Sequence, residues 1–568
     1  MIHDPITTEV VRHALETIAE EMGTSLRRTA MSVVIKDLRD YSCAVFDPKG
    51  HLLACTMDIP SLMASMAPAL QAIVAKWTDD IGPGDVFITN HPYLGCAHTS
   101  DVNIFVPAFG ADGSLVGFAG AAAHHADWGG RVAGTAAYDS RSVFQEGVIL
   151  AALKLVEAGR ANAAIMDIIR ENVRHPAQNM GDLRAQIAAA TAGASRMAGL
   201  AGRHGPEGLR AIFDGLVSYT ARRTRAELAA LPDGTWSAEG AIDDDGITPG
   251  NRVTFRVDVT VKGDAITFDF SRGDRQMPGG MNIPWSSLRS AVQYALTCIL
   301  PQDIPVNEGV MDAVTIVAPV GGAVNPAHPA AVSDRHIACE RLCDVLVSAM
   351  GQIAPHRTSA GWCVGFPVFI CETRSPKTRD ASVLLGIIAG GAGAHEGADG
   401  ASGIDVHLSN CAITPAEAIE ANYTLRIDRY ELIRDSGGAG RHRGGLGIRA
   451  DYRNLSDRPM DVQTEVEQSA ADSAPWPLDG GRPGTTCAVA MIADGAERPL
   501  PSKGYFTIPP GGVVSMRAGG GGGAGDPLAR PEEVVMADLA AGYISEEAAR
   551  TIYRVDPATG RRPRTAAA

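Results

Sequence analysis

A turn signal between two apolar runs constrains the fold of this chain more than any other feature. Asp112-Gly113 separates the run VNIFVPAF from the run LVGFAGAAA. An Asp-Gly pair between apolar segments is the strongest short signal for a β-hairpin. If these two residues form the turn, the numbers of paired residues sum to 225, so Asp101 faces His124. Directly opposed side chains share one face of a sheet with Cβ atoms about 4.5–5.5 Å apart.

Further polar residues lie at the same end of this predicted hairpin. The residue numbers of His98 and Asp127 also sum to 225, so these two residues lie near the same end. Residues 114–123 are nearly all small and apolar, which places the polar groups at the rim of a buried layer. Two imidazoles with one or two carboxylates suit a divalent metal that keeps an open position. The alternative is a hydrogen-bonded polar cluster that caps the hairpin. Asp40, which begins the preceding predicted hairpin, is placed to complete the site.

The periodicity of the remaining sequence predicts an α+β fold with several domains. Apolar residues at helical spacing predict an opening helix with Thr7 or Thr8 as N-cap, and an alanine-rich helical stretch covers 155–231. Further helices are predicted over 61–78, 286–300, 335–353 and 532–554. Alternating segments predict strands over 235–275 and after 420. The N-terminal half is therefore helical, with hairpins that carry the metal site, and the C-terminal half is richer in β-strands.

The length of 568 residues predicts more than one hydrophobic core, because single cores stop growing at roughly 250–300 residues. Composition changes after the turn at Leu231-Pro232-Asp233-Gly234 and again near residue 420. We therefore expect an N-terminal α+β domain with the metal-binding hairpin, a central α+β domain, and a β-rich C-terminal domain with a terminal helix. These predicted domains span residues 1–234, 235–419 and 420–568.

Charge and cysteine usage exclude several classes of protein. The net charge is −15 without a basic stripe, so nucleic acid is not an expected partner. No uncharged apolar stretch of 18 residues and no signal-peptide pattern occur, which predicts a cytoplasmic protein outside the membrane. The ten scattered cysteines indicate reduced thiols rather than a disulfide scaffold. Cys339 and Cys343, four apart on a predicted helix, favour ordinary helix packing over a zinc site.

Motifs spread along almost the whole chain resemble one known family. They are RDYSCAVFD (39–47), HPYLGCAHTSDV (91–102), AHHADWGG (123–130), ENVRHP (171–176), DIPVNEG (303–309), RYELIRDSGGAGRHRGG (429–445) and GGGGAGDP (520–527). Together they resemble the hydantoinase B and 5-oxoprolinase family. This family includes the beta subunits of N-methylhydantoinases and caprolactamases, and the related subunits of acetone-type carboxylases.

The resemblance implies a division of labour between two subunits. A hydantoinase A-like, actin-like partner uses ATP to phosphorylate the substrate carbonyl oxygen, and this subunit completes the reaction at one divalent metal: zinc, manganese or iron. It implies four metal ligands: Asp40, His98, Asp101 and His124. His125 and Asp127 become candidates for proton transfer. The present chain has no G-x-x-x-x-G-K-[ST] run, in keeping with ATP use by the partner. We expect a heterotetramer with two copies of each subunit.

Two positions depart from the family pattern. The family usually has Asp where this chain has His91, and a His-Ile-Pro-Val-His-Leu-type run where this chain has Asp58-Ile-Pro-Ser-Leu62-Met. Three functions for a small-molecule substrate therefore remain open. The first is ATP-dependent hydrolysis of a cyclic amide such as a hydantoin, 5-oxoproline or a lactam, the second is a subunit of a ketone carboxylase, and the third is a non-catalytic assembly subunit.

Two glycine-rich segments also have two interpretations. Gly437–Gly447 and Gly519–Gly525 could cradle an oxyanion with backbone N–H groups, helped by Arg441 and Arg443. The alternative is that these segments are only turns between strands.

Overall fold

The structure is a computed structural model that describes residues 4–374, 376 and 381–563. It is an α+β protein of several domains, as predicted. The α-helices in the described residues are α1 Pro5–Thr29, α2 Val33–Lys36, α3 Pro60–Trp77, α4 Ala163–Asn172, α5 Pro176–His204, α6 Pro206–Ala229, α7 Trp285–Ile299, α8 Arg335–Ile353, α9 Ala416–Asn422, α10 Glu532–Ala540 and α11 Glu546–Thr551. None of them has both the length and the apolar character needed to cross a bilayer.

The strands form four sheets. In the first half of the chain they are β1 Tyr41–Phe46, β2 Leu52–Cys55, β3 Val86–Thr89, β4 Asp101–Phe109, β5 Leu115–His124, β6 Leu153–Glu157, β7 Arg160–Ala161, β8 Gly234–Ile242, β9 Val253–Lys262 and β10 Ala265–Asp269. In the second half they are β11 Val314–Val317, β12 Val368–Arg374, β13 Ala381–Ile387, β14 Leu425–Leu432, β15 Ile448–Asn454, β16 Met460–Glu465, β17 Ala488–Ala493, β18 Ala496–Pro499, β19 Lys503–Ile508 and β20 Val513–Arg517.

The first sheet carries the predicted site and is covered on both faces. Its order is β2-β1-β5-β4-β3-β6-β7. Val45 and its same-face neighbours pack with α1 and α5. Phe46, one residue on, belongs to the apolar cluster on the α3 side, where its ring meets Phe105 at 5.9 Å between centroids. Burial on both faces explains why β4 and β5 are apolar along most of their length instead of alternating with polar residues.

The predicted register of the β4–β5 hairpin is confirmed, although the predicted turn is not. Asp101 pairs with His124, and the sum of 225 holds as far as the pair Ala108–Gly117. The register then shifts, and the amide of Gly110 donates to the carbonyl of Ser114 at 2.8 Å. The connection is therefore a longer loop with a β-bulge. The loop is longer than a two-residue turn, and the bulge adds one unpaired residue. These two irregularities compensate each other, so the pairs from Asp101–His124 to Ala108–Gly117 have the register that a two-residue turn would give.

Three helix boundaries differ from the prediction because local caps and glycines determine them. Asp4, and not Thr7 or Thr8, caps α1, since its carboxylate accepts from the amides of Ile6 and Thr7. The alanine-rich stretch begins with β6 and β7 and then divides into α4, α5 and α6. The predicted helix over 532–554 is two helices, separated near Gly542, which has φ +76°.

The second sheet, in the order β11-β10-β9-β8, packs against α7 and α8 around its own apolar cluster. The remaining sheets, β13-β12-β16-β19 and β14-β15-β20-β17-β18, contribute to a third cluster, in which the rings of Phe369 and Tyr452 stack at 4.7 Å. The domain boundaries after residues 234 and 419 stay predictions. The pairing of β12 with β16 joins residues from both sides of the second boundary.

The glycine-rich segments pack against one another, backbone to backbone, in what we call the glycine bundle: residues 390–394, 437–447, 481–484 and 518–525. The amide of Gly438 donates to the carbonyl of Gly521 at 2.8 Å, and that of Gly521 donates to Gly445 at 3.0 Å. A Cβ at Gly521 would lie 1.9 Å from the carbonyl oxygen of Ala392. Most amides of these segments already donate to backbone carbonyls or side-chain acceptors, which argues against the interpretation of the segments as an oxyanion cradle.

Of the two arginines expected to help this cradle, Arg443 has other side-chain contacts, whereas Arg441 is exposed and bonds through its backbone. Arg443 is buried and donates to the carbonyl of Gly444 at 2.6 Å, with Asp538 beside it. The backbone of Arg441 pairs with Gly525. The glycine bundle is therefore a packing element.

Candidate metal centre

Three side chains converge at the end of the β4–β5 hairpin. Nε2 of His98 lies 3.0 Å from Oδ1 of Asp101 and 3.1 Å from Nδ1 of His124. The same Asp101 oxygen lies 3.0 Å from Nδ1 of His124. All three residues are buried, and one ligand atom from each lies within 4.8 Å of the other two. This arrangement is compact enough for one ion to contact all three.

The local fold positions each member separately. Asp101 is the first residue of β4 and His124 the last of β5, so the ladder places their side chains on one face. His98 lies in the preceding turn, where its carbonyl accepts from the amide of Asp101 at 3.1 Å. Its Nδ1 lies 2.7 Å from the carbonyl oxygen of Ser333, just before α8. Because a carbonyl can only accept, this contact places the proton of His98 on Nδ1 and turns the lone pair of Nε2 towards Asp101.

The donor set has the chemistry that a divalent cation requires. Burial lowers the pKa of His98 to about 4, so its ring is neutral near pH 7 and Nε2 carries no proton. That nitrogen then faces a carboxylate oxygen at 3.0 Å, acceptor against acceptor, so the pair calls for a positive group beside it: a bound ion, or a proton on Nδ1 of His124, which lies 3.0 Å from the same oxygen. Neutral imidazole nitrogens and a carboxylate oxygen are the ligands that divalent zinc, manganese and iron accept.

Arg335, from the first turn of α8, holds the other side of the carboxylate. Its Nη2 donates to Oδ2 of Asp101 at 2.9 Å in a buried ion pair. Burial raises the pKa of Asp101, but His98, His124 and Arg335 outweigh it and lower the pKa well below its usual range. Oδ1 is thereby left for the two imidazoles. The sequence analysis did not identify Arg335, which is 234 residues away from its partner.

Asp40 borders the same cavity but lies outside the closest group. Its backbone carbonyl accepts from the amide of His124 at 3.0 Å, which ties the start of β1 to the end of β5. Burial raises the pKa of its carboxyl to about 6, and the neighbouring His124 opposes that rise. The rest of the cavity wall is largely apolar and includes Ile59, Phe366, Val368, Leu385 and Leu408. The assignment of Asp40 as a ligand stays a prediction.

Comparisons with known proteins show the family of this chain. The family described as hydantoinase B/oxoprolinase matches residues 4–527. The chain belongs to the hydantoinase B/oxoprolinase family. Among its relatives, a Pseudomonas chain provisionally named as part of a D-/L-hydantoinase is 32% identical over 97% of this chain and 95% of its own length. The 5-oxoprolinase 1 of Arabidopsis thaliana is 29% identical over 92% of this chain, but over only 42% of its own length.

Solved structures agree with this membership in the hydantoinase B/oxoprolinase family. The crystal structure of the ATP-dependent caprolactamase from Pseudomonas jessenii matches with a TM-score of 0.89 and 29% identity, over 98% of this chain and 97% of that chain. A nucleotide-free acetone carboxylase structure matches with a TM-score of 0.87 over 97% of this chain and 80% of its own. At 19% identity, this second likeness shows the fold alone.

Both residues considered for proton transfer lie away from the three converging side chains. His125 is fully buried, and its Nε2 lies 2.9 Å from Oε1 of Gln186 in α5, behind the sheet. The carboxylate of Asp127 accepts from the amides of Gly129 and Gly134 and pairs with Arg174 at 3.0 Å. These contacts hold the turn after β5 against α5. The proton-transfer role of these two residues stays a prediction.

Within the two departures from the family pattern, His91 and Leu62 lie outside the cavity lining, whereas Ser61 borders the cavity. His91 caps the 3₁₀ turn Pro92–Leu94, where its Nδ1 accepts from the amide of Tyr93 at 3.2 Å. An Asp would perform the same capping, which explains why either residue fits there. Leu62 is 1% exposed and lies in the apolar cluster with Phe46, whereas Ser61 faces the cavity.

A second group of possible ligands was missed by the sequence analysis. Asp334, His336 and Glu465 also bring one ligand atom each within 4.8 Å of the others. Asp334 and His336 flank Arg335, so the run SDRH at the start of a predicted helix was the available signal. Glu465 comes from β16 and carries no such signal, because only the tertiary fold brings it to α8.

Proposed function

We propose that this chain is the metal-bearing subunit of an ATP-dependent cyclic amide hydrolase. Its substrate would be a hydantoin, 5-oxoproline or lactam ring whose carbonyl oxygen a partner subunit has phosphorylated. The observation that carries the proposal is the convergence of His98, Asp101 and His124 at the end of a largely apolar cavity. The names of the relatives, a hydantoinase component and a caprolactamase component, support the class of substrate.

The residues of this chain would perform separable tasks. His98, Asp101 and His124 would hold one divalent ion, zinc, manganese or iron, with Asp40 as a fourth ligand. When bound, such an ion supplies Lewis acidity and lowers the pKa of water. The Ser333 carbonyl fixes the proton position on His98, and Arg335 keeps the carboxylate of Asp101 ionised and oriented. The apolar wall limits the access of bulk water to the activated ring.

The partner proposal is supported by the lengths of the relatives. This chain spans 42% of the Arabidopsis 5-oxoprolinase 1, so most of that protein has no counterpart here. We infer that a separate, hydantoinase A-like subunit uses the ATP and docks beside the cavity. We expect two copies of each subunit and an interface above roughly 1,000 Å², as stable specific assemblies require. Ten free cysteines support a reducing, cytoplasmic compartment.

The decisive experiment is co-expression of the chain with its partner, followed by a screen of hydantoins, lactams, 5-oxoproline and simple ketones. We expect ring opening of a cyclic amide that consumes ATP, needs both subunits and is independent of bicarbonate. His124→Ala should abolish turnover, whereas His356→Ala, at a side chain 88% exposed, should leave it unchanged. Bicarbonate-dependent consumption of a ketone would support the carboxylase instead. A complex that is fully active with His124→Ala would support an assembly role.

A further inference from the structure

Beside the cavity, on the α8 side, lies the second group of Asp334, His336 and Glu465. Asp334 precedes α8, His336 lies in its first turn, and Glu465 ends β16. Both carboxylates are fully buried, while His336 also borders the cavity, with its ring centroid 6.5 Å from that of His98. The group therefore lies next to the candidate metal centre without sharing a residue with it.

Each member has a buried polar atom that lacks a hydrogen-bond partner within the described part of the chain. These atoms are Oδ1 of Asp334, Nε2 of His336 and Oε2 of Glu465. The contact between His336 and Glu465 is 3.6 Å, which is too long for a hydrogen bond. The second oxygen of each carboxylate already has a donor: Ser333 Oγ at Asp334 and the Gln463 amide at Glu465. One acceptor from each carboxylate is thus left over.

Nearby protein cations are directed elsewhere. Arg335 pairs with Asp101, and Lys503 pairs with Glu467 and Asp244. Within the described part of the chain, the ion-pair contact that Asp334 or Glu465 makes is the one between Glu465 and His336, at 3.6 Å. Burial of two carboxylates without positive charge is costly. A proton shared by the carboxylates would remove one charge but would leave Nε2 of His336 without a partner.

We propose that Asp334, His336 and Glu465 form a second divalent cation site, distinct from the one at His98. Two carboxylate oxygens and one imidazole nitrogen within a 4.8 Å span match the ligands and bond lengths of manganese or zinc. An ion here would satisfy all three unpartnered atoms at once. Because His336 borders the cavity, the ion would add positive charge on the side where a phosphorylated ring would need it. This last role, unlike the site itself, rests on the proposed function.

Metal content of the purified complex, after incubation with Mn²⁺ and desalting, tests the site. We expect two ions per copy of this chain in the wild type, and one in Asp334→Asn, Glu465→Gln or His124→Ala. Combining His124→Ala with Glu465→Gln should leave none. Glu396→Gln, at an exposed side chain, is the matched control and should retain two. One ion in the wild type that persists in Glu465→Gln would overturn the proposal and favour a shared proton.

Anomalous scattering from Mn²⁺-soaked wild-type crystals gives a measurement that does not depend on the folding of any variant. The proposal predicts one peak at His98 and a second among Asp334, His336 and Glu465. A peak at His98 alone would contradict it. Ion count and peak position do not depend on turnover, so a complex with two ions but no ATP-dependent ring opening would refute the proposed function and leave the second site intact.

Discussion

Asp101 and His124 are cross-strand partners in β4 and β5, and the carboxylate of one lies 3.0 Å from the imidazole of the other. Their approach follows from strand register. A slip of one residue would turn one of the two side chains to the opposite face of the sheet. The candidate centre is thus specified by the pairing of two apolar strands, and it persists only while that register persists.

Loss of either partner should remove the ion. We expect Asp101→Asn and His124→Ala to lower the metal content at the His98 centre from one ion per chain to near zero, because each removes a ligand and Asp101→Asn also removes the negative charge. Metal analysis measures this directly. The thermal midpoint should fall only modestly, since the apolar faces of β4 and β5 stay intact. Retention of the His98 ion by both variants would refute the ligand assignment.

The affinity for metal should fall as the pH falls, in two stages. Burial lowers the pKa of His124, but Asp101 and Asp40 outweigh it and raise the pKa above 6.5. Below that pKa, a metal must displace a proton from His124. The log Kd for metal should therefore rise by about one for each unit by which the pH falls. His98, with its pKa near 4, should add nothing above pH 5.

Asp40 provides a second stage if it is a ligand. Its pKa of about 6 means that binding displaces a further proton below pH 6, so the slope should approach two there. Chelator competition from pH 5 to 9 measures both slopes. Asp40→Asn should keep a slope near one below the pKa of His124 and should lack the second stage below pH 6. An identical two-stage profile in wild type and Asp40→Asn would exclude Asp40 from the ligand set.

The glycine bundle should not accept even a methyl group. Gly521→Ala places a Cβ 1.9 Å from a backbone oxygen that cannot rotate away, so we expect a loss of about 3 kcal/mol or more in the free energy of unfolding. Gly199→Ala, within α5 and with nothing inside 4 Å of the added Cβ, should instead be neutral or stabilising by up to about 1 kcal/mol. Denaturant unfolding compares them, and equal effects would argue against close backbone packing at Gly521.

Lys503 should be important for stability. Its ammonium is buried between Glu467 and Asp244, and Lys503→Met would leave both carboxylates without their cation. Breaking a buried pair in this way costs about 3–5 kcal/mol. Lys49→Met, at an exposed position in the β1–β2 turn, should change stability by less than about 0.5 kcal/mol. A small effect of Lys503→Met would mean that solvent reaches the pair.

The sequence was informative where the signal is local. The register of β4 and β5 follows from apolar strands around a short loop, so the pair of Asp101 and His124 could be predicted. Ser333, Arg335 and Glu465 could not, because they arrive from more than 200 residues away and no spacing rule relates them to the hairpin. Strand geometry alone separates the side chains of His124 and His125, since consecutive residues at a strand end point to opposite faces.

The glycine-rich segments led to a chemical interpretation, although their composition reflects packing. Short glycine runs are equally typical of anion-binding loops and of backbones that touch. The two kinds of glycine-rich segment differ in whether their amides already donate to carbonyl oxygens. Here the donors and acceptors are far apart in the sequence, since the amide of Gly522 donates to the carbonyl of Gly361.

The glycine bundle also constrains how the protein can be made. Its amides find partners in segments taken from residues 361 to 525, so an emerging chain cannot complete the bundle until the last of these has left the ribosome. Until then, a long glycine-rich stretch stays hydrated and without a fixed conformation. The bundle can therefore be completed only late in synthesis, whereas both strands of the hairpin with Asp101 and His124 have emerged early.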